Sequence, residues 1–241
     1  MNDDSTPAGA IPEKLDRIST RWSAVHDPNH FLIRYADAVL GYLNALLRNA
    51  QDAEDVSQEF FVRVVERGFE RAHPDRGRFR DYLKTAVRNA ATSHLRRLQR
   101  SPALVDPSQI ESVLPAESDS EADREWVADW QRCLMDRAWR ALESHQHRSP
   151  GNLYWTVLRV SVDHGDEDST SLATRAAAIA GRPLRADAFR QQLSRARRMF
   201  AELLLREVAQ TLEDPTPVEI EEELVETGLI QHVKPFLPEP R

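Results

Sequence analysis

The chain has 241 residues, 41% of them hydrophobic and 29% charged, and 32 lysines and arginines against 39 aspartates and glutamates leave a net charge of −7. That length and composition suit one or two globular domains with a core of their own and exclude a chain too polar to fold. A single cysteine, Cys133, excludes an intrachain disulfide and a multi-cysteine zinc site; no basic-then-apolar leader and no apolar run of membrane-spanning length occur, so a soluble, cytoplasmic protein is expected.

Apolar residues recur at three- and four-residue spacing, while alternating β-branched runs and Asn-Gly or Asp-Gly turns are missing, so the fold class is all-α. A first helix carries Phe31, Tyr35, Val39, Tyr42, Leu43, Leu46 and Leu47, follows the break at Asp27-Pro28-Asn29 and ends near Asn49. Asp52 and Asp55 resemble the acidic start of a second helix, with Val56, Phe60, Val64 and the flanking Phe61 and Val65 as its apolar face and Gly68 as its stop. Beyond a loop around His73-Pro74-Asp75, a third helix places Phe79, Tyr82, Leu83, Val87, Ala90 and Leu95 on one side and closes at Ser101-Pro102.

Residues 101–124 mix prolines, serines and acids without periodicity and read as a flexible acidic linker and a domain boundary. A helix from about Glu125 to Ser144 and another around Asn152 to Val162 follow. Next comes a short alanine-rich helix, Ser171 to Ala180, a turn at Gly181-Arg182-Pro183, and a longer basic helix from about Ala186 to Thr211, the pattern of a helix-turn-helix. A last helix begins at Thr216, where Thr216 and Glu219 form a capping box with Pro217 at the first helical position, and stops at Gly228.

Net acidity conceals segregated charge. Residues 76–100 hold eight cations against the single acid Asp81, and the stretch from Arg182 to Arg206 holds a second arginine cluster, while the linker and the tail supply the compensating acids. Arginines on a helix that can approach a duplex suit phosphate neutralisation, which dominates nucleic-acid affinity. Solvated faces are the alternative for either cluster alone; two clusters in separate domains, one on a helix-turn-helix pattern, favour DNA.

Enzymatic signatures are missing. No phosphate-cradling glycine loop and no HExxH occurs. Pro28 breaks any helix that would pair His26 with His30, and His145 and His147 read as surface-loop residues. Cys133 reads as an inert thiol on an apolar helix face. No catalytic residue, metal site or cofactor is expected.

Two blocks carry a family resemblance. Residues 31–100 resemble the second conserved region of bacterial RNA polymerase sigma factors of the extracytoplasmic-function (ECF) type, through Asp52-Ala53-Glu54-Asp55-Val56-Ser57-Gln58-Glu59-Phe60-Phe61 and through Arg78-Phe79-Arg80-Asp81-Tyr82-Leu83-Lys84-Thr85-Ala86-Val87-Arg88-Asn89 with the following Ala90 to Arg97. Residues 171–206, with Ala188-Phe189-Arg190-Gln191-Gln192-Leu193-Ser194-Arg195-Ala196-Arg197-Arg198, resemble the fourth region. The resemblance implies a non-catalytic subunit that binds core RNA polymerase, directs it to promoters and promotes DNA opening. It implies that Asp52, Glu54, Asp55, Gln58, Glu59 and Phe60 dock on the clamp helices of the β′ subunit. It implies that the second block, including Arg96 and Arg97, meets the minus-ten element, with Asn89 where a flipped base is accepted, and that the helix-turn-helix reads the minus-thirty-five element while region four meets the β flap. An anti-sigma protein is a further partner left open.

The residues give these roles a physical form. Carboxylates at a helix start, where the dipole favours negative charge, suit a basic partner. Arg80, Lys84 and Arg88 follow four-residue spacing and can track a backbone along one flank, whereas Tyr82 is expected in the core. Asn89 can pair with a base edge or cap a turn. Arg185, Arg190, Gln191 and Ser194 sit where a recognition helix enters the major groove; Arg195, Arg197 and Arg198 suit phosphates or the polymerase, and Phe189 and Leu193 the core. The organisation expected is an N-terminal extension (1–26), region two (27–100), linker (101–124), region four (125–211) and an acidic extension (212–241) expected to dock within the chain. A stand-alone helix-turn-helix regulator and an all-helical adaptor are the rival readings.

Overall fold

In the computed structural model, which describes residues 28–69, 78–100, 121–212 and 215–237, every regular element is helical, as the periodicity requires. In chain order these are α1 (Pro28–Leu47), α2 (Ala50–Arg67), α3 (Phe79–Arg100), α4 (Glu121–Arg148), α5 (Tyr154–Asp163), α6 (Ser169–Ala180), α7 (Ala186–Ala209), α8 (Pro217–Glu226) and the single turn α9 (Ile230–Val233), followed by a 3-10 turn. The N-terminal extension, the loop at His73 and residues 101–120 of the expected linker lie outside the described residues. No described helix is long and apolar enough to cross a membrane.

Two compact units emerge. Among the described residues, the first groups 28–133 with 209–228; the second groups 134–208 with the segment from 229 on. In the first, α1 and α2 meet at a tight turn: Arg48 takes a left-handed conformation, and the Asn49 side chain accepts bonds from the amides of Gln51 and Asp52 at 3.0 and 3.3 Å. Asn49 therefore caps α2, and Asp52, read from the sequence as its start, lies in its first turn. Gly68, at φ 64°, ends α2 as expected. Tyr35, Val39, Tyr42 and Leu43 of α1, Val56, Phe60 and Val64 of α2, and Phe79, Leu83, Val87 and Leu95 of α3 form the core.

Two tryptophans complete it. Trp126 and Trp130, which the sequence reading gave to the second domain, are fully buried here: Trp130 stacks on Tyr35 with centroids 4.9 Å apart and Trp126 packs on Tyr42 at 5.1 Å. The helix carrying them starts at Glu121, inside the expected linker, so residues 121–124 are helical. The acidic extension also contributes: the Thr216–Glu219 capping box and Pro217 start α8 as expected, and Leu224 is buried in the same unit.

The second unit is built on Leu134, Ala138 and Leu142 of α4, Val157 and Val160 of α5, Leu172 and Ala176 of α6, and Phe189, Leu193, Ala196, Phe200 and Leu204 of α7. His145 and His147 close the last turn of α4, not a loop; the ring of His145 stacks on Tyr154 at 5.9 Å. Gln146 exchanges two hydrogen bonds with Thr156, tying α4 to α5.

Candidate nucleic-acid interface

The apolar stripe of α3 fixes which way its cations point. With Phe79, Leu83 and Val87 inward, Arg80, Lys84 and Arg88 share one flank, as their spacing predicts, but that flank is covered. Arg80 is buried, with its Nη2 donating to Glu226 at 2.8 Å and its Nε 3.2 Å from Glu223. Arg78, one residue before the helix, reaches Glu222 at 3.3 Å, Glu223 at 3.2 Å, and Glu226. Glu222, Glu223 and Glu226 occur at three- and four-residue spacing and so line one face of α8. Glu223 is itself buried; desolvation pushes its carboxyl up to about 7 despite the opposing pull of Arg80 and Arg78.

One turn further on, Asp123 of α4 receives Lys84 at 2.8 Å, Arg88 at 3.0 Å and the Tyr42 hydroxyl at 3.1 Å. Burial opposes ionisation of this carboxyl, but the bond from Lys84, the fields of Lys84 and Arg88 and the bond from Tyr42 hold it below its ordinary range. Desolvation pushes the Tyr42 phenol well above its usual value, so it remains a neutral donor. Sequence reasoning missed Asp123, Glu222, Glu223 and Glu226 as partners of α3. Their signal was compositional: the acids of the linker and tail balance the basic stretch.

Of the aromatic residues on α3, Phe79 is buried against Phe69, centroids 5.5 Å apart, while Tyr82, expected in the core, is only half-buried at its edge. Asn89, Arg96 and Arg97 are exposed. Arg97 donates to Glu59 of α2 at 2.8 Å and holds that carboxyl below its usual range.

The acidic block on α2 divides by helical phase. Glu54, Asp55, Gln58 and Glu59 are exposed, and Asp52 is half-buried, 3.3 Å from His94. Phe60 falls in phase with Val56 and Val64 and is buried; its ring belongs to the core and presents no docking surface. Asp55, Gln58 and Glu59 instead line an open groove of about 970 Å³ between α2 and α3, with Val62 and Arg63 on one side and His94, Arg96 and Arg97 on the other. Val62 and Val65 are exposed apolar residues beside the acids; the sequence reading placed Val65 at the flank of the apolar face and did not single out Val62.

The second unit holds α6 and α7, the two helices from which a helix-turn-helix is expected. Asp168 caps α6 by accepting from the amides of Thr170 and Ser171 at 2.7 and 2.9 Å, and Gly181, at φ 64° and ψ 21°, ends it in the left-handed conformation the turn requires. On α7, Phe189, Leu193, Ala196 and Phe200 are buried, which turns Arg190, Gln191, Ser194, Arg195, Arg197 and Arg198 outward. Arg185, before the helix, is 88% exposed and lies 3.4 Å from Asp187. Among the described residues, Arg190, Arg195, Arg197 and Arg198 have no carboxylate partner, in contrast to the cations of α3.

Residues 31–101 match the family model described as Sigma-70 region 2, a stretch that spans α1 to α3 and the basic end of α3. The matched stretch is under a third of the chain and supports a sigma-factor reading of that stretch. No curated protein and no solved structure matches the chain.

Proposed function

We propose that this protein is a sigma factor of the ECF type: a cytoplasmic, non-catalytic subunit that binds core RNA polymerase, directs it to specific promoters and promotes DNA opening. The observation that carries the reading is the coincidence of the Sigma-70 region 2 match with a helical unit in which an exposed acidic face and a basic helix flank one groove. The exposed carboxylates Glu54, Asp55 and Glu59, with the Gln58 amide and the neighbouring Val62, form the surface for the β′ clamp helices; Asp52 contributes at its edge. Asn89, Arg96 and Arg97 are the exposed groups of α3 for the minus-ten element, and Arg80, Lys84 and Arg88 are its covered cations. Arg185, Arg190, Gln191 and Ser194 read the minus-thirty-five element from the major groove, each bidentate contact contributing ~1–3 kcal/mol of discrimination. Arg195, Arg197 and Arg198 meet phosphates or the β flap.

The unpartnered arginines of α7 also suit a stand-alone helix-turn-helix regulator, and one experiment separates the two. Run-off transcription on a pooled genomic promoter library, with bacterial core polymerase and either the wild-type chain or Asp55→Lys, should give start sites that depend on the wild-type protein and weaken with the variant. Sequence-specific binding to duplex DNA by the chain alone, without polymerase association or transcripts, would establish the regulator instead.

A further inference from the structure

The cations that suit a nucleic-acid backbone best by spacing are the ones this chain covers itself. Four carboxylates, Glu222, Glu223 and Glu226 from α8 and Asp123 from α4, face four cations, Arg78, Arg80, Lys84 and Arg88. Carboxylates at three- to four-residue spacing along a helix offer guanidinium groups the same charge-assisted bonds that successive phosphates would. Core packing does not require such acids at these places: Leu224 already anchors α8, and Glu222 and Glu226 are respectively 58% and 48% exposed. Around the buried Arg80–Glu223 pair, the exposed pairs made by Glu222 and Glu226 add little to stability, so these two carboxylates are better accounted for by what they displace.

We infer that α8 is an autoinhibitory element, an internal polyanion that occupies Arg78 and Arg80 and is exchanged for the DNA backbone when α3 engages a promoter. Asp123 holds Lys84 and Arg88 more firmly, because it is buried and shared with Tyr42. The device is graded: the exposed Glu222 and Glu226 of α8 leave first, and the buried Glu223 and Asp123 stay with the core. The inference rests on the assignment of α3 to nucleic acid.

The test measures binding of the full-length chain, without polymerase, to fluorescein-labelled single-stranded and duplex DNA of mixed sequence over a salt series. Glu222→Gln/Glu226→Gln removes charge from exposed positions and leaves Leu224 and the capping box in place. Affinity is expected to rise about tenfold, and the slope of log K against log salt to steepen by about 1 to 2, as two released cations reach phosphates. The control Glu125→Gln/Glu221→Gln changes net charge equally at exposed positions outside the cluster and should leave the slope unchanged. Adding Arg78→Ala to the first pair should cancel part of the gain. An unaltered slope in the first variant, or an equal rise in the control, would overturn the inference. These readouts are independent of transcription: start sites with an unchanged slope would sink the inference alone, whereas a steeper slope without polymerase-dependent start sites would sink the sigma-factor reading alone.

Discussion

Replacing Asp123 with asparagine removes one charge from a site where three donors converge, and the cost follows from the geometry. Hydrogen bonds to a charged group contribute about 1.5–3 kcal/mol each, and removing one partner of a fully buried ion pair costs about 3–5 kcal/mol. Asp123 is buried, but Lys84 and Arg88 keep 25% and 20% of their side chains exposed, so water can take over part of their solvation. The amide also retains an oxygen that can accept from Tyr42. A loss of about 2 kcal/mol for Asp123→Asn, and somewhat more for Asp123→Ala, is therefore expected. Urea unfolding is the assay, followed by tryptophan fluorescence, since Trp126 and Trp130 lie three and seven residues beyond Asp123 and are buried in the same unit. Amide exchange separates the units: protection should fall in α1 and α3 and stay constant in α6 and α7. A change below about 0.5 kcal/mol, the usual range for a surface substitution, would refute the view that Asp123 organises this flank.

Glu223 makes the first unit respond to pH in the opposite sense to an ordinary ion-paired acid. Its folded-state value, about 7, lies above its usual 4.5, so the fold binds the extra proton, and this group's contribution is fully present below 4.5 and is lost as pH rises to about 7. Urea midpoints of the wild type should therefore decline over that interval relative to Glu223→Gln, and parallel profiles would count against the assignment. In the second unit, Gly181→Ala places a Cβ at a left-handed position with open space around it, so a loss of about 1–2 kcal/mol from backbone strain alone is expected; calorimetry showing no loss would mean that the turn adapts.

The legible part of this fold is the part written at short range. Val56, Phe60 and Val64 announce a buried stripe by their spacing, the Thr216–Glu219 box marks the start of α8 in four residues, and Gly181 between alanine-rich and arginine-rich helices marks the turn from α6 to α7. The two cues at Phe60 conflicted: the resemblance placed it in a docking block, the phase placed it in the core, and the phase prevailed because an aromatic ring on that stripe has nowhere else to go. What the sequence hid depends on distant partners. Arg80 looked like a free cation because its neighbours at four-residue spacing are also basic; the acids covering it lie 143 and 146 residues away. Asp123 looked like one acid among many in a polar linker. Trp126 and Trp130 looked continuous with Leu134 and Leu142 because a single helix carries all four, and only the burial of its first half with Tyr35 and Tyr42 separates them.

The distance from Arg78 to Glu226, 148 residues, also sets an order of events during synthesis. At about 5–20 residues per second, roughly 7–30 s separate the making of the basic segment from the making of its acidic cover. Through that interval α1 to α3 can assemble from near-neighbour contacts, but Leu224 is still missing from their core and Arg80 still lacks the carboxylates that surround it. Lys84 and Arg88 gain their cover once Asp123 has been made, whereas Arg78 and Arg80 face the polyanions of the translation apparatus until α8 has been made. A premature stop anywhere between α7 and α8 would leave those two arginines permanently without their acidic cover.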